Sequence, residues 1–234
     1  MSDKFWQIKN RSDNSGDLIL YGDISNKDFW DEDITPDKVM DDLDELGDID
    51  TLNIRINSNG GNLFAGISLS NIIRKYGQDN NVKTVAYIEG LAASAMTIIV
   101  AVCDEVKMYS NSMQMIHNPF GIFMGNSNDL RKAADDLDSM REAMINTYQE
   151  RTGLDREEIV DMLDEETWLD ADMSIEKNFA DEKLTSEVAA SFNNNNLIMN
   201  DVEFDLSKFD KVPNRISNIN NKVYNNGKDD NDMP

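Results

Sequence analysis

Apolar and polar positions alternate along several short segments of the chain, whereas in longer segments apolar residues recur every three or four positions. A period of two predicts half-buried strands, and a period near 3.6 predicts amphipathic helices. The predicted strands cover residues 17–24, 52–57, 82–88, 105–109 and 113–116, and the predicted helices cover residues 36–46, 64–76, 94–102 and 128–149, with another helix starting at Asp155. Strands that alternate with helices in one region predict an α/β fold with parallel strand pairs.

The turn after the strand at residues 82–88 carries a serine among small residues. Ser94 lies in the run Gly-Leu-Ala-Ala-Ser-Ala, residues 90–95, and a helix follows. Small neighbours allow a substrate backbone to approach, and the first turn of a helix offers free N–H groups and positive potential. A serine hydroxyl needs a base to become a nucleophile. The chain contains one histidine, His117, so Ser94 and His117 are the candidate catalytic pair.

Three short blocks occur in an order and at a spacing that are typical of one protease family. They are Ile-Asn-Ser-Asn-Gly-Gly at residues 56–61, the serine block at residues 90–95, and Met-Ile-His-Asn-Pro at residues 115–119. Together they resemble the signature blocks of the ClpP family of serine endopeptidases, and the resemblance extends over residues 16–186.

The resemblance implies a fold and a set of roles. The fold is of the ClpP or crotonase type, built from repeated β-β-α units, with the helix at residues 128–149 protruding as a handle. Ser94 is the nucleophile and His117 is its base. The N–H groups of Gly61 and Ala95 form the oxyanion hole, which stabilises the negative charge that develops on the attacked carbonyl.

The acid of the expected catalytic triad departs from the family pattern. In the family it lies two residues before an aromatic residue, which here is Trp168. The matching residue is therefore Glu166, where the family carries an aspartate. A glutamate completes such triads on other folds. Asp164 is the alternative acid, and a Ser-His dyad without a third member is the remaining alternative.

The segment just after the histidine is expected to bind substrate. In the family this segment pairs with an extended substrate and joins ring to ring, which assigns Asn118, Pro119 and Phe120 to this role together with Gly60. The resemblance implies homo-oligomeric rings, either a heptamer or a stacked double ring. The apolar stripe of the helix at residues 128–149 is compatible with a core-facing helix and with a partner interface.

The charge of the chain narrows the range of partners. It carries 45 acidic and 22 basic residues, a net charge of −23, which argues against nucleic acid or an anionic membrane surface as the main partner. No segment has a signal-peptide pattern, and the longest apolar run, residues 95–103, is too short to span a membrane. The expected location is the cytoplasm of a bacterial host or a phage procapsid. Cys103, in that run, is expected to be a buried thiol.

No cofactor is expected. The acidic residues between positions 41 and 45 fit a solvated helix face, because they lack the alternating ligands and the central glycine of a calcium loop. The sequence therefore predicts no metal site. The chain also lacks the glycine-lysine loop of a Walker A motif, so any dependence on ATP would belong to a partner protein.

The composition divides the chain into three parts: an N-terminal arm at residues 1–15, the protease-like domain at residues 16–186, and an acidic, asparagine-rich tail at residues 187–234. The tail has little hydrophobic periodicity, so it is expected to be disordered or loosely docked. Four of its apolar residues form a candidate docking segment, namely Phe204, Leu206, Phe209 and Val212.

The expected function is ATP-independent serine endopeptidase activity on polypeptides. Residues 5–10 and 166–168 are similar to segments of ClpP-like proteases from phages and prophages, which mature phage heads, so capsid and scaffold proteins are the expected substrates. The alternatives are a housekeeping ClpP subunit that works with an ATPase, and an inactive structural ring on the same fold. A crotonase-type acyl-CoA enzyme is a further alternative, against which the Ser94 and His117 pair argues.

Overall fold

The computed structural model describes residues 8–10, 14–26, 33–185, 190–193, 196–199, 202–206 and 211–213. Three parts of the segments named above lie outside the described residues: residues 5–7, Phe209, and the stretch from residue 214 to the end. The boundaries drawn between the arm, the domain and the tail stay predictions.

A mixed sheet forms the centre of the described part of the chain. Its strands are β1 (Ile8–Asn10), β2 (Ser15–Ile24), β3 (Thr51–Gly61), β4 (Lys83–Ala93), β5 (Glu105–Tyr109), β6 (Met113–Ile116), β7 (Thr167–Asp170) and β8 (Glu182–Leu184). Strands β2, β3, β4, β5 and β8 are neighbours in that order and run parallel. Strand β1 pairs antiparallel with β2 at one edge. The predicted α/β class with parallel strand pairs is confirmed.

Six helices connect and cover the described strands. They are α1 (Pro36–Glu45), α2 (Leu63–Asn80), α3 (Ala95–Ala101), α4 (Ser127–Thr152), α5 (Arg156–Asp164) and α6 (Ala171–Glu176). Helix α1 starts where the sequence predicts, because the Thr35 side chain accepts a hydrogen bond from the N–H of Lys38 and Pro36 occupies the first turn. Asn62 caps the start of α2, because its side chain accepts a hydrogen bond from the N–H of Ala65.

The main core lies between one face of the sheet and helices α1, α2 and α3. Alternate residues of the strands supply its apolar side chains, as the period of two predicts. The buried set includes Leu18 and Leu20 of β2, Ile54 and Ile56 of β3, Ala86 and Ile88 of β4, and Leu69, Ile73, Met96 and Ile99 of the helices. Burial of these side chains removes apolar surface from water, which is the dominant favourable contribution to folding.

Strands β3 and β4 extend further than the hydrophobic pattern predicts. Strand β3 continues to Gly61, which pairs with Ile24 of β2. Strand β4 continues through the small-residue run to Ala93, because residues 91–93 pair with β6. The segments predicted as turns are therefore the ends of strands. Because β3 and β4 are parallel neighbours, their last residues, Gly61 and Ala93, lie at the same edge of the sheet.

The apolar stripe of helix α4 was compatible with a core-facing helix and with a partner interface, and the two halves of the helix differ in this respect. Its C-terminal half is core-facing, since Met144, Ile145 and Tyr148 are buried. Its N-terminal half is largely exposed, and Leu130 there keeps 47% of its surface accessible. The exposed half is the part that is available to a partner.

Part of the predicted tail forms a small sheet of its own. Strands β9 (Ala190–Asn193), β10 (Asn196–Met199) and β11 (Val202–Asp205) pair antiparallel. Strand β10 lies against β4 and β11 lies against β3. Leu206, a member of the predicted docking segment, is 3% exposed and therefore buried.

Candidate active site

The strand register brings Ser94 and His117 together. Strands β4 and β6 are parallel neighbours, and Ala93 pairs with Met115 at their carboxyl ends. Ser94 follows Ala93 directly, and His117 follows the last residue of β6. The Nε2 atom of His117 lies 2.8 Å from the Oγ atom of Ser94. This is hydrogen-bond distance between a hydroxyl nucleophile and a base.

The backbone at Ser94 is in a conformation that non-glycine residues rarely adopt. Its φ is 54° and its ψ is −127°, which costs of order 1–3 kcal/mol and must be held by the surroundings. The N–H of Ser94 donates to the carbonyl of Met115 at 2.9 Å, and the carbonyl of Ser94 accepts from the N–H of Thr97 at 3.0 Å. The Thr97 hydroxyl donates to the same carbonyl at 2.6 Å. A strained strand-to-helix turn of this kind presents a nucleophile at its tip.

The end of β3 packs against the serine turn so closely that it requires glycine. A Cβ atom on Gly60, where φ is 87°, would lie 2.4 Å from the carbonyl oxygen of Ala93 and 2.8 Å from the nitrogen of Ala95. A Cβ atom on Gly61, where φ is 139°, would lie 2.2 Å from the carbonyl oxygen of Ile24. Gly60, a predicted substrate residue, thus lies beside the turn that carries Ser94, and Gly61, a predicted oxyanion residue, packs against β2.

A cavity of about 260 Å³ opens beside the Ser94 and His117 pair. Helix α4, the start of α2 and the segment after the histidine supply its mainly apolar walls, which include Phe64, Phe120, Phe123, Leu137, Met140 and Met144. Gly61, Asn118 and Pro119 also line it. Three of the predicted substrate-binding residues, Asn118, Pro119 and Phe120, therefore border the cavity. The contribution of α4 was not predicted, because helical spacing defines a face and not what that face contacts.

The imidazole of His117 packs against an aromatic ring from the same segment. Its centroid lies 5.5 Å from that of Phe120, and the ring planes are inclined at 54°. Phe120 itself is 70% exposed. An exposed aromatic ring beside the His117 imidazole is placed to contact whatever enters the cavity.

The strand register also determines where Glu166 lies. Strands β6 and β7 are antiparallel, and Ile116 pairs with Thr167. His117 and Glu166 are the residues that adjoin this last pair, one on each strand. Glu166 has a φ of 51°. Its Oε1 atom accepts hydrogen bonds from the indole N–H of Trp168 at 3.2 Å and from the backbone N–H of Lys211 at 2.7 Å.

The alternative acid, Asp164, has a different set of partners. Its Oδ1 atom accepts hydrogen bonds from the side-chain amide of Asn118 at 2.7 Å and from the guanidinium of Arg141 at 2.9 Å. The Asn118 bond and the Arg141 charge lower the pKa of Asp164, against an opposing effect of desolvation. Asp164 thus ties the segment after the histidine to helix α4. Arg141 carries no sequence signal for this contact.

Cys103 is a buried thiol, as predicted. Its Sγ atom donates to the carbonyl of Ile99 at 3.3 Å, and burial raises its pKa to about 12. Among the described residues, no three histidine, cysteine, aspartate or glutamate side chains are grouped so that they could hold a metal ion. No helix in the described part of the chain is both long and apolar enough to cross a membrane.

Fold and site together define an α/β protein with a Ser-His pair at the carboxyl ends of parallel strands. Residues 4–187 match the family model described as Clp protease. Because this match covers most of the chain, the chain belongs to the Clp protease family.

Curated relatives show how far the likeness extends. The ATP-dependent Clp protease proteolytic subunit 2 of Thermobifida fusca is 30% identical over 137 residues, which cover 58% of this chain and 66% of that protein, just under two thirds of its length. The protein of the same name from Treponema denticola is 29% identical over 167 residues, covering 70% of this chain and 78% of that protein.

A solved structure supports the fold. A mutant of ClpP1 from Listeria monocytogenes matches with a TM-score of 0.59 and 22% identity, over 74% of this chain and 92% of that chain. At this identity the likeness concerns the fold alone.

Proposed function

We propose that this chain is a serine endopeptidase of the ClpP type, with Ser94 as nucleophile and His117 as general base. The observation that carries the proposal is the 2.8 Å distance between Ser94 Oγ and His117 Nε2 at a strained strand-to-helix turn. Membership of the Clp protease family supports it, and so do relatives named as proteolytic subunits.

The proposed reaction is acyl transfer in two steps. Ser94 Oγ attacks the carbonyl carbon of a peptide bond while its proton passes to His117 Nε2. The imidazolium gives that proton to the leaving nitrogen, the C–N bond breaks, and an ester on Ser94 remains. A water molecule activated by His117 then hydrolyses the ester and restores the serine hydroxyl.

The other catalytic groups follow from their positions. The N–H groups of Gly61 and Ala95 stabilise the oxyanion of both tetrahedral intermediates. Glu166 orients the imidazole. This assignment is supported by the pairing of Ile116 with Thr167, because His117 and Glu166 are the next residues beyond that pair. Asp164 is the weaker candidate, because it accepts hydrogen bonds from Asn118 and Arg141.

The proposed substrate is an extended polypeptide. Its backbone lies along Gly60 and the segment of Asn118, Pro119 and Phe120, as a strand added to an open edge. One apolar side chain of the substrate enters the 260 Å³ cavity, whose walls are mainly apolar. The reaction needs no metal ion and no organic cofactor.

The proposed assembly is a homo-oligomeric ring, either a heptamer or a stacked double ring, in a bacterial cytoplasm or a phage procapsid. The proposed substrates are phage capsid and scaffold proteins, as the similarity of residues 166–168 to the phage branch suggests. A second candidate is a ring that works with an ATPase, which the names of the relatives favour. Cleavage of a folded substrate only after addition of a Clp ATPase would favour the second candidate.

Fluorophosphonate labelling of the assembled protein tests the proposal, because this reagent reacts with activated serines. We expect labelling of the wild type and loss of labelling in Ser94→Ala and His117→Ala. Ser139→Ala, which removes an exposed serine on α4, is the matched control and keeps full labelling. Native mass measured on the same samples shows whether each variant still assembles.

Two further variants separate the candidate acids. We expect Glu166→Gln to slow labelling by orders of magnitude, because triad acids contribute strongly to catalysis, and Asp164→Asn to retain most of the rate. A correctly assembled wild type that is not labelled would contradict the proposal and favour a structural ring.

A further inference from the structure

The chain segment at residues 211–213 reaches the candidate catalytic acid from a distant part of the sequence. The backbone N–H of Lys211 donates to Glu166 Oε1 at 2.7 Å, which is a short bond for an N–H donor and a carboxylate. The indole N–H of Trp168 donates to the same oxygen at 3.2 Å. We propose that the Lys211 backbone N–H is a positioning group for the active site, which orients the Glu166 carboxylate toward His117. This inference rests on the proposed function.

The path of the chain supports a fixed position for this donor. Strands β10 and β11 lie against β4 and β3, the two strands whose ends carry Ser94 and the glycine pair. Leu206, which precedes Lys211 in the chain, is buried. Val212 and Pro213, which follow Lys211, are partly buried. The segment is thus held on the domain before and after it reaches Glu166.

The Glu166 side chain needs hydrogen bonds from neighbouring residues, because its own backbone has a strained conformation. Glu166 has a φ of 51°, a left-handed conformation that costs non-glycine residues free energy and persists only when neighbours hold it. It lies between the end of α5 and the start of β7, and its side chain is only partly buried. Two donors on one carboxylate oxygen restrict the rotation of the side chain, which is what an orienting acid requires.

The two donors differ in how they depend on the fold. Trp168 lies two residues from Glu166 and is 6% exposed, so its indole is fixed by the core of the domain. Lys211 contributes only a backbone group, so its side chain is not required. We therefore expect the labelling rate to fall when the backbone N–H at position 211 is removed, and to stay unchanged when only the side chain is altered.

Proline and alanine at position 211 form a matched pair for the test. Both substitutions remove the lysine side chain, but only Lys211→Pro removes the N–H donor. In the full-length assembled protein, we expect Lys211→Ala to label with fluorophosphonate at the wild-type rate. We expect Lys211→Pro to label about tenfold more slowly, as for loss of a hydrogen bond to a charged group. A chain made with an ester in place of the amide of residue 211 lacks the N–H without the proline ring, and should behave as Lys211→Pro does.

The background of Glu166→Ala distinguishes positioning from general damage. If Lys211 acts through Glu166, the ratio of the rates of Lys211→Ala and Lys211→Pro falls to one when Glu166 is already alanine. Equal ratios in both backgrounds would show that proline acts elsewhere, and would overturn the inference.

A second readout does not depend on activity. His117 is the only histidine of the chain, so selective ¹³C labelling of histidine gives one imidazole signal. We expect this signal to move in Lys211→Pro toward its position in Glu166→Ala, and to stay in place in Lys211→Ala. Identical spectra for the proline and alanine variants would overturn the inference. A further outcome is a wild type that is not labelled while the His117 signal still moves in Lys211→Pro and not in Lys211→Ala. That result would contradict the proposed function and would support the contact between Lys211 and Glu166.

Discussion

The hydroxyl groups of Tyr148 and Thr97 lie 2.7 Å apart in the buried contact between helices α4 and α3. Thr97 donates its own proton to the carbonyl of Ser94, so Tyr148 must supply the proton between the two hydroxyls. Two hydrogen bonds in series thus connect the long helix to the backbone of the proposed nucleophile. Tyr148 is completely buried, and burial raises its pKa, so it remains a donor throughout the neutral range.

This series predicts the effect of Tyr148→Phe. Removing the hydroxyl deletes one neutral hydrogen bond, so the free energy of unfolding should fall by about 1 kcal/mol. In a Thr97→Val background the Tyr148 hydroxyl would be buried without that acceptor, so the same substitution should become neutral or stabilising. Urea unfolding of the four proteins of this double-mutant cycle measures both effects. Equal costs in the two backgrounds would show that the hydroxyls are not coupled.

The sequence was sufficient to predict that Ser94 and His117 lie together. Each residue follows a recognisable apolar segment, and parallel strands bring their carboxyl ends to one edge of a sheet. The pattern could not predict that β3 and β4 continue to Gly61 and Ala93. Small residues and glycines have no clear hydrophobic period, so the pairing of these strand ends depends on contacts with β2 and β6.

Contacts between distant elements could not be predicted either. The helical period identified Tyr148 as part of an apolar stripe, but not Thr97 as its partner. The role of Glu166 stays a prediction from the family pattern, whereas the donor from Lys211 lies in a segment without periodicity. Single hydrogen bonds of this kind depend on tertiary geometry, for which one sequence carries no local signal.

Two glycines offer a paired test of the close contact at the serine turn. Gly60→Ala would place its Cβ against backbone atoms of Ala93 and Ala95 at a positive φ, so we expect loss of fluorophosphonate labelling and destabilisation of several kcal/mol. Gly47→Ala is the control, since nothing lies within 4 Å of its added Cβ, and its free energy of unfolding should change by less than about 1 kcal/mol. Unimpaired labelling of Gly60→Ala would show that the turn is less tightly packed than described.

Cys103 should make stability depend on pH in the alkaline range. The thiol of the folded chain keeps its proton up to a pKa of about 12, whereas in the unfolded chain it ionises near pH 8.5. The raised pKa of this acid therefore leaves stability unchanged below about pH 8.5 and lowers it as the pH rises toward 12. Between pH 8 and 10 the loss should be about 2 kcal/mol.

Cys103→Ala provides the comparison for this prediction. The variant has a small cavity and a lower free energy of unfolding at pH 7, but it should lack the thiol contribution to the pH dependence. Urea unfolding at pH 8 and 10 measures the difference, and iodoacetamide should leave Cys103 unmodified in the folded protein at pH 8. Parallel pH profiles for the two proteins would contradict the raised pKa.

The strand that leads to Ser94 carries a buried ion pair, and breaking it should be costly. Glu89 of β4 bonds to the guanidinium of Arg55 on β3 and to the hydroxyl of Tyr21 on β2. The Glu89 side chain is 3% exposed and that of Arg55 is 30% exposed. Arg55→Ala would remove the positive charge beside the buried Glu89 carboxylate and leave the hydrogen bond from Tyr21. We therefore expect a loss of about 3 kcal/mol in the free energy of unfolding.

An exposed pair of the same kind serves as the control for Arg55→Ala. Lys132 and Asp136 form an ion pair one helical turn apart on α4, with side chains that are 76% and 54% exposed. Water and salt screen such a pair, so Lys132→Ala should lower the free energy of unfolding far less than Arg55→Ala does. Replacing Arg55 and Glu89 together with leucine should recover much of the Arg55→Ala loss, because no unpaired buried charge remains. If Arg55→Ala cost no more than Lys132→Ala, the Glu89 carboxylate would have to reach water in solution.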